Sequence, residues 1–381
     1  MAKTLVCIIS EDPIVNYLFA KEMYRRGDKL MLIAEQDYEE ELERVAPLFP
    51  VPMAQVQKLV LRREYDDEIW GEMCRSIRGA LHAETEYAVN LAGGSRFMAL
   101  AVQQVFEAFK SKFYYVPETR NLVIHSLIDN LDNNDDEFQP MNCKISVMEY
   151  LKLYGLNPKK KIVTQSEGYT NGFFDLFVKQ ELSNKDYHRL DGLRCYRDDK
   201  RLKIDWVEQK EYEEKRPDIP GLRQFLDDIK FKTANDGELN RWEMAYLTGG
   251  WFEEYVYFKI IRDLRPDSIE LGVTIQRHPS PTPNDLDVVF TLGNKLFVVE
   301  CKTCVEKAAM FHQIAYKACA LHESMLGVSS HSYIFSLSND YNDNMTKMAR
   351  NMDIVYCDRD FFLKDKEWQR FVADVKDKAF G

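Results

Sequence analysis

The stretch Asn284-Asp285-Leu286-Asp287-Val288-Val289-Phe290-Thr291-Leu292-Gly293-Asn294-Lys295-Leu296-Phe297-Val298-Val299-Glu300-Cys301-Lys302-Thr303 decides how the rest of the chain is read. Two runs rich in strand-forming residues, Leu286–Leu292 and Lys295–Thr303, flank Gly293-Asn294, a pair suited to a two-residue hairpin turn. That turn sets the register. Leu292 opposes Lys295, Phe290 opposes Phe297, and Asp287 falls opposite Glu300. Side chains alternate along a strand, so Asp285, Asp287, Glu300 and Lys302 share one face, while Val288 and Cys301 point toward a core.

Directly opposed side chains have Cβ atoms about 4.5–5.5 Å apart. Two carboxylates at that distance repel each other unless a proton or a cation lies between them. Oxygen ligands converging from two strands suit a hard divalent ion, Mg2+ or Mn2+. Such an ion polarises a phosphoryl oxygen and acidifies bound water. Lys302 stands two residues beyond Glu300 and is placed to stabilise developing negative charge or to position the attacking water. The competing reading is a solvated acidic strand face, against which the apolar run Leu296-Phe297-Val298-Val299 argues. The stretch resembles the PD-(D/E)XK nuclease superfamily, whose signature is an Asp before a hairpin and Glu-x-Lys on the next strand. Asp287, Glu300 and Lys302 fill those positions. The resemblance implies metal-dependent hydrolysis of phosphodiesters.

The chain has 381 residues, 45% of them hydrophobic, enough for two or three domains with sizeable cores. No apolar run reaches membrane-spanning length and no secretory signal opens the sequence. The eight cysteines are scattered, several of them in apolar patterns. Cys301 and Cys304 have half of a zinc-knuckle spacing without a second pair. A reduced, cytoplasmic protein is expected. The net charge of −11 disfavours a long nucleic-acid track but permits a local basic groove.

The first 130 residues or so alternate strands and helices. Thr4–Ile9 is a continuous apolar run, the mark of a strand buried on both faces. A helix over Ile14–Arg25 closes at Gly27, and Lys29–Ala34 is the next strand. Further strands are expected at Val56–Leu61, Tyr87–Leu91, Lys112–Val116 and Asn121–Ser126, with helices at Glu64–Gly79 and Arg96–Phe109. This is an open, Rossmann-like α/β pattern. Its sharpest feature is the strand–turn–helix Val89-Asn90-Leu91-Ala92-Gly93-Gly94-Ser95-Arg96. Free N–H groups at a helix start bind anions, and Gly93-Gly94 would let a phosphate approach the backbone. Ser95 can cap the helix or bond a ligand, and Arg96 can pair with a phosphate. The loop Ser10-Glu11-Asp12-Pro13 leaves the first strand at the same edge of the sheet. The alternative is that Gly93-Gly94 simply turns the chain. Neither G-x-G-x-x-G nor a Walker sequence is present.

A Rossmann-like domain carrying Asn-x-x-Gly-Gly-Ser-Arg after a central strand resembles a CARF domain, the sensor of CRISPR-associated ancillary proteins. Joined to a PD-(D/E)XK domain, the whole chain resembles the single-CARF effector nucleases of type III CRISPR defence. That resemblance implies a homodimer in which two CARF domains bind a cyclic oligoadenylate, such as cyclic tetra-adenylate, and switch on the nuclease. Ser10, Glu11, Asn90, Gly93, Gly94, Ser95 and Arg96 are the expected ligand contacts. The family pattern often reads Thr-Gly-Gly-Thr-Lys where this chain has Ala92-Gly93-Gly94-Ser95-Arg96. Hydroxyl and charge are kept at the last two positions, and a hydroxyl is lost at Ala92.

Residues 1–138 are accordingly assigned to the sensor, 139–237 to a connector and 238–381 to a mixed-sheet, restriction-endonuclease-like domain. An acidic, turn-rich segment at Asp129–Gln139 marks the first boundary. The connector holds an amphipathic helix over Ile145–Tyr154, a basic run Lys159-Lys160-Lys161, and a charged hairpin over Tyr196–Trp206. In the nuclease domain a helix over Asn240–Leu247 breaks at Gly249-Gly250 and resumes over Trp251–Leu264. The resemblance places an acidic metal ligand there, Glu253 in preference to Glu254, whereas each residue taken alone reads as a solvated helical glutamate. It also implies that the helix Ala308–His322 touches nucleic acid through Gln313 and Lys317, one turn apart. The leading expectation is an activator-gated, Mn2+- or Mg2+-dependent endonuclease acting on DNA, with RNA as a second substrate. The alternatives are a nucleotide-sensing regulator that binds nucleic acid without cleaving it, and a standalone restriction-type or repair nuclease.

Overall fold

The apolar run Thr4–Ile9 forms a strand buried at every position, and the N-terminal half of the computed structural model is built around it. The structure describes residues 2–61, 69–118, 120–125, 138–161, 164–178, 184–208, 216–276, 283–303, 315–316, 330–337, 347 and 349–381. The N-terminal elements are β1 (Thr4–Ile9), α1 (Ile14–Met23), β2 (Lys29–Glu35), α2 (Glu39–Val45), β3 (Val56–Leu61), α3 (Ile69–Gly79), β4 (Tyr87–Asn90), α4 (Arg96–Phe106), β5 (Ser111–Tyr115), β6 (Leu122–His125) and β7 (Phe138–Pro140). They form a seven-stranded sheet in the order β3-β2-β1-β4-β5-β6-β7. The strands from β3 to β5 are parallel, and β6 and β7 close the edge antiparallel. Strand order reverses between β1 and β4, the switch point at which open α/β sheets bind ligands.

The helix α5 (Val147–Leu153) follows, opened by a reciprocal Ser146–Glu149 capping box. Then come β8 (Lys159–Lys160), α6 (Glu167–Val178), α7 (Asn184–Arg194), β9 (Arg201–Lys203), α8 (Ile204–Glu208), α9 (Leu222–Asp228), β10 (Glu238–Asn240), α10 (Arg241–Ala245) and α11 (Trp251–Leu264). The chain ends with β11 (Ser268–Ile275), β12 (Asn284–Leu292), β13 (Lys295–Lys302), β14 (Ser330–Ser336), β15 (Ile354–Cys357), α12 (Arg359–Leu363) and α13 (Asp365–Phe380). Six of these strands make the second sheet, in the order β15-β14-β13-β12-β11-β8. β11, β12 and β13 are antiparallel, whereas β13, β14 and β15 are parallel. The expected break between α10 and α11 is a π-turn over Tyr246–Gly250.

The charged hairpin expected over Tyr196–Trp206 does not form. Arg201–Lys203 pairs with the distant Glu238–Asn240, and Ile204–Glu208 is helical. Leu202 and Leu239 are both fully buried, so the pairing is fixed by a shared core rather than by a local turn. α13, an element outside those expected from sequence, packs Trp368, Phe371, Val372, Val375 and Ala379 into the core of the second sheet.

The connector is packed, not extended. Phe173, Leu193, Tyr196, Phe225 and Leu239 belong to the same core as Val288, Phe297 and Val299 of the β12–β13 hairpin. The other face of the hairpin, through Leu286, Val289, Leu296 and Val298, shares a second core with α1 and α5. The sensor and the second sheet therefore meet through continuous apolar packing.

The turn of the hairpin is the polar centre of that contact. Asn294 adopts φ +64°, as the second position of such a turn requires, and is 4% exposed. Its Oδ1 accepts from the Ile145 N–H at 2.9 Å. Its Nδ2 donates to Asn121 Oδ1 at 2.7 Å and to the Cys143 carbonyl at 3.0 Å. The Thr291 hydroxyl donates to the Ile145 carbonyl at 2.7 Å. Replacing Asn294 with Ala strands these buried partners and forces a Cβ-bearing aliphatic residue into left-handed backbone. We expect a loss of about 2–4 kcal/mol in a urea titration followed by circular dichroism. Asn294→Gly keeps the backbone and loses the bonds, so it should cost less. An unchanged midpoint in Asn294→Ala would show that the anchor contributes nothing.

Candidate active site and ligand loop

The hairpin register is the one the sequence specifies, with Phe290 opposite Phe297 and Leu292 opposite Lys295. The ladder stops at Val288–Val299, one step short of the acidic residues. On the other side of β12, pairing with β11 skips one position, between Leu271–Val288 and Val273–Leu286. The residues skipped are Gly272, at φ +57°, and Asp287. This kink alters what Asp287 does. Instead of standing across from Glu300 as a ladder pair, its Oδ2 accepts the Cys301 backbone N–H at 2.7 Å.

Lys302 joins the two carboxylates. Its Nζ lies 3.2 Å from Asp287 Oδ2 and 2.7 Å from Glu300 Oε1, and it donates to the Cys301 carbonyl at 3.1 Å. Burial alone would lower the lysine pKa; the attraction of Asp287 and Glu300 outweighs it and raises the pKa, so the side chain stays protonated. Glu253, on α11, joins from above the sheet. Its carboxyl is pushed well above the usual range by burial and then by the charge of Asp287, with Lys161, Lys302 and Arg197 pulling the other way. Its neighbour Glu254 plays a different part. It is buried and accepts from the Thr164 N–H and hydroxyl, both at 2.6 Å, and from the Gln165 N–H at 3.1 Å. The two glutamates that sequence leaves as competitors are thus separated, one facing Asp287 and one holding the chain at Thr164. Asp285 accepts from the Thr274 hydroxyl at 2.6 Å and lines a cavity shared with Glu253.

The donor set consists of hard carboxylate oxygens with an excess of negative charge, and the Lys302 ammonium stands between two of them. Among the described residues no three Asp, Glu, His or Cys side chains converge tightly enough to enclose an ion. Mg2+ and Mn2+ do not need such an enclosure: Mg2+ commonly keeps several waters and is held by one or two carboxylates together with substrate phosphate. Asp287 and Glu300 fit that role, with Glu253 behind them.

In the sensor, Gly93 and Gly94 join β4 to α4 at φ +91° and +68°. They are closed in by protein. A Cβ on Gly93 would lie 2.5 Å from Asn16 Nδ2, and one on Gly94 would lie 2.4 Å from Ile8 Cγ2. The turn is therefore demanded by its approach to the end of β1, whatever else it binds. Asn90 is fully buried and donates to Asn16 Oδ1 at 3.0 Å, while Asn16 donates to the Ile8 carbonyl at 2.6 Å. Ser95 caps α4 by accepting from the Met98 N–H at 3.2 Å and donates to Glu35 at 2.7 Å. Arg96 and Glu11 are exposed, and Ser10 is half-buried at the same edge. Of the residues expected to contact a ligand, Asn90 and Ser95 thus also brace the loop.

Comparison with known proteins bears on both halves. The family description "Card1 CARF domain" matches residues 4–150, and "Card1-like, endonuclease domain" matches residues 240–372. The chain belongs to the Card1-type CARF endonucleases. The crystal structure of protein VC1899 from Vibrio cholerae superposes with a TM-score of 0.76 at 17% identity, covering 100% of this chain and 99% of that one. The structure of Can2 from Sulfobacillus thermosulfidooxidans in complex with cyclic tetra-adenylate gives 0.68 at 19% identity, covering 97% and 99%. A type III CRISPR defence DNA nuclease activated by cyclic oligoadenylate gives 0.55 at 16% identity, covering 94% of this chain and 48% of that one. No curated protein matches by sequence.

In this Card1-type chain, sequence reasoning misses Gly272, which releases Asp287 from the ladder. An isolated Gly inside a strand pattern is the signal that could have found it. Gln313 and Lys317, expected to contact nucleic acid, lie outside the described residues. Among the described residues no helix is long and apolar enough to cross a membrane.

The packing around Gly94 changes what its substitution tests. From sequence, Gly94→Asp should block a phosphate by bulk and repel it by charge, with Asp287, Glu300 and the metal site left intact. A side chain there instead meets Ile8 in strained backbone. We expect Gly94→Asp to destabilise the sensor by at least about 1–3 kcal/mol, read as a lowered thermal midpoint without any ligand. The exposed Arg96→Ala should leave that midpoint unchanged and is the cleaner probe of ligand binding. A Gly94→Asp protein as stable as wild type would contradict the packing argument.

Proposed function

We propose that this chain is a metal-dependent endonuclease of type III CRISPR defence, switched on by a cyclic oligoadenylate bound across a dimer of its sensor domains. The observation that carries the reading is the convergence of Asp287, Glu300 and Lys302 on one hairpin whose turn is buried in the sensor. The Can2 structure holds cyclic tetra-adenylate, and a further structural neighbour is a DNA nuclease activated by a cyclic oligoadenylate; both support this assignment of the sensor and of DNA as substrate.

The chemistry follows from the side chains. Asp287 and Glu300, with Glu253 as a further carboxylate, would supply oxygen ligands for Mg2+ or Mn2+. When bound, the ion supplies Lewis acidity toward a phosphoryl oxygen and lowers the pKa of its water. Lys302 is held protonated by the two carboxylates, which fits it to stabilise charge on the phosphoryl group or to orient the attacking water. The Cys301 N–H fixes the Asp287 carboxylate, so that group is oriented before substrate arrives. Ser10, Glu11, Gly93, Gly94, Ser95 and Arg96 form the sensor edge on which the ligand would sit. Two copies of that edge match a cyclic ligand with repeated units, which is the argument for a two-fold dimer.

The ligand acts at a distance, because the sensor loop contributes no group to the carboxylate cluster. It must bind the active arrangement more tightly than the inactive one. Turning a nearly silent population into a nearly fully active one takes about 5.5 kcal/mol of such preference.

The assay is nicking of supercoiled plasmid in Mn2+, with and without cyclic tetra-adenylate. Asp287→Asn keeps an acceptor for the Cys301 N–H and should abolish cleavage while leaving ligand binding intact by calorimetry. Glu300→Ala should do the same, and Lys302→Ala should lose about 10²–10³ in rate. Cleavage at near wild-type rate by Glu300→Ala would remove the assignment. A protein that remains monomeric by light scattering with the ligand present would remove the dimeric sensor.

A further inference from the structure

A cavity of about 360 Å3 is lined by residues of both charges. Glu253, Glu254 and Asp285 are among its acidic lining residues. Lys161, Arg197, Arg241 and Trp242, all from the segment between the sensor and α11, line the same cavity. Thr164 and Asp198 also contribute. Lys161 and Arg197 share this cavity with Glu253.

Among the described residues none of the three basic side chains forms an ion pair with a carboxylate. Arg197 and Arg241 are exposed, and Arg241 lies over the Trp242 ring at 4.2 Å. Trp242 is 50% exposed, an unusual state for so large an aromatic side chain at a cavity mouth. In a chain of net charge −11, cations gathered beside an acidic catalytic site are suited to an anion brought from outside. An exposed indole backed by a guanidinium offers a face on which a nucleobase can stack.

We propose that this wall is the substrate clamp: Arg197, Arg241 and Lys161 hold backbone phosphates of a nucleic-acid strand, and Trp242 stacks on an unpaired base next to the scissile phosphate. These are positioning residues. They place the strand and take no part in bond breaking. The clamp rests on the endonuclease reading and adds to it a role for the segment between the sensor and α11. That role also accounts for its packing, since Tyr196 and Met244, adjacent to Arg197 and two residues from Trp242, are fully buried in the core shared with the catalytic hairpin. The clamp is therefore anchored in the same core as the hairpin that carries Glu300.

The test uses the full chain with Mn2+ and cyclic tetra-adenylate. Binding of a fluorescein-labelled single-stranded DNA oligonucleotide is followed by anisotropy in a Glu300→Gln background, from about 50 to 200 mM salt. Arg197→Ala and Arg241→Ala should each weaken binding several-fold and flatten the plot of log affinity against log salt by about 0.7 per lost contact. Trp242→Ala should weaken binding about tenfold with little change in that slope. Lys110→Ala, on the sensor surface, should change neither. With Glu300 restored, the three cavity variants should raise KM while kcat stays within about twofold, because uniform binding has been removed. If wild type binds and cuts while all three variants match it in affinity, salt slope and KM, the clamp is wrong and the endonuclease reading stands. If wild type neither binds nor cuts, both fail together.

Discussion

The buried Asn294 turn is the constraint on which the rest of this molecule depends. The strands β12 and β13 form one rigid hairpin. Its closed end is hydrogen-bonded inside the sensor, and its open end carries Asp287, Glu300 and Lys302. Both faces of the hairpin are apolar and packed, one against the connector and α13, the other against α1 and α5. A hairpin held in this way has little freedom to shift by itself.

The packing from the Gly93-Gly94 loop to the hairpin is contiguous. Gly93 abuts Asn16 on α1, and Asn16 is bonded to Asn90 and to the Ile8 carbonyl. Further along the same helix, Glu22 accepts from the Asn142 N–H at 3.0 Å and the Cys143 N–H at 2.7 Å. The Cys143 carbonyl then accepts from Asn294. This is spatial continuity through ordered polar groups and one helix; energetic coupling along it is a separate quantity, measured by mutation.

Charge gives the active site a tension of its own. Burial disfavours the ionised form of Glu253 and the charge of Asp287 adds to it, so Glu253 holds its proton more tightly. Lys302 bridges Asp287 and Glu300 and offsets their mutual repulsion. The break in the ladder at Gly272 matters for the same reason. It lets Asp287 turn out of the pairing plane and be fixed by the Cys301 N–H instead.

Much of this was legible in sequence, because it depends on short-range periodicity. Alternation around Gly293-Asn294 determined the hairpin register and placed Glu300 and Lys302 together. The apolar run Thr4–Ile9, followed by strands and helices in alternation, determined an open α/β sensor. The strand–turn–helix at Asn90–Arg96 determined where its loop lies. Long-range packing decided the rest. Only the folded chain shows that Asn294 is an anchor as well as a turn residue, since its partners Asn121 and Cys143 are 173 and 151 residues away. Only the folded chain separates Glu253 from Glu254, because consecutive helical residues point in different directions and what each meets is set by other elements. The pairing of Arg201–Lys203 with Glu238–Asn240, the skipped Gly272 and the basic wall of the cavity have the same origin. Each joins segments far apart in the chain, and no local pattern records which distant surface a side chain will face.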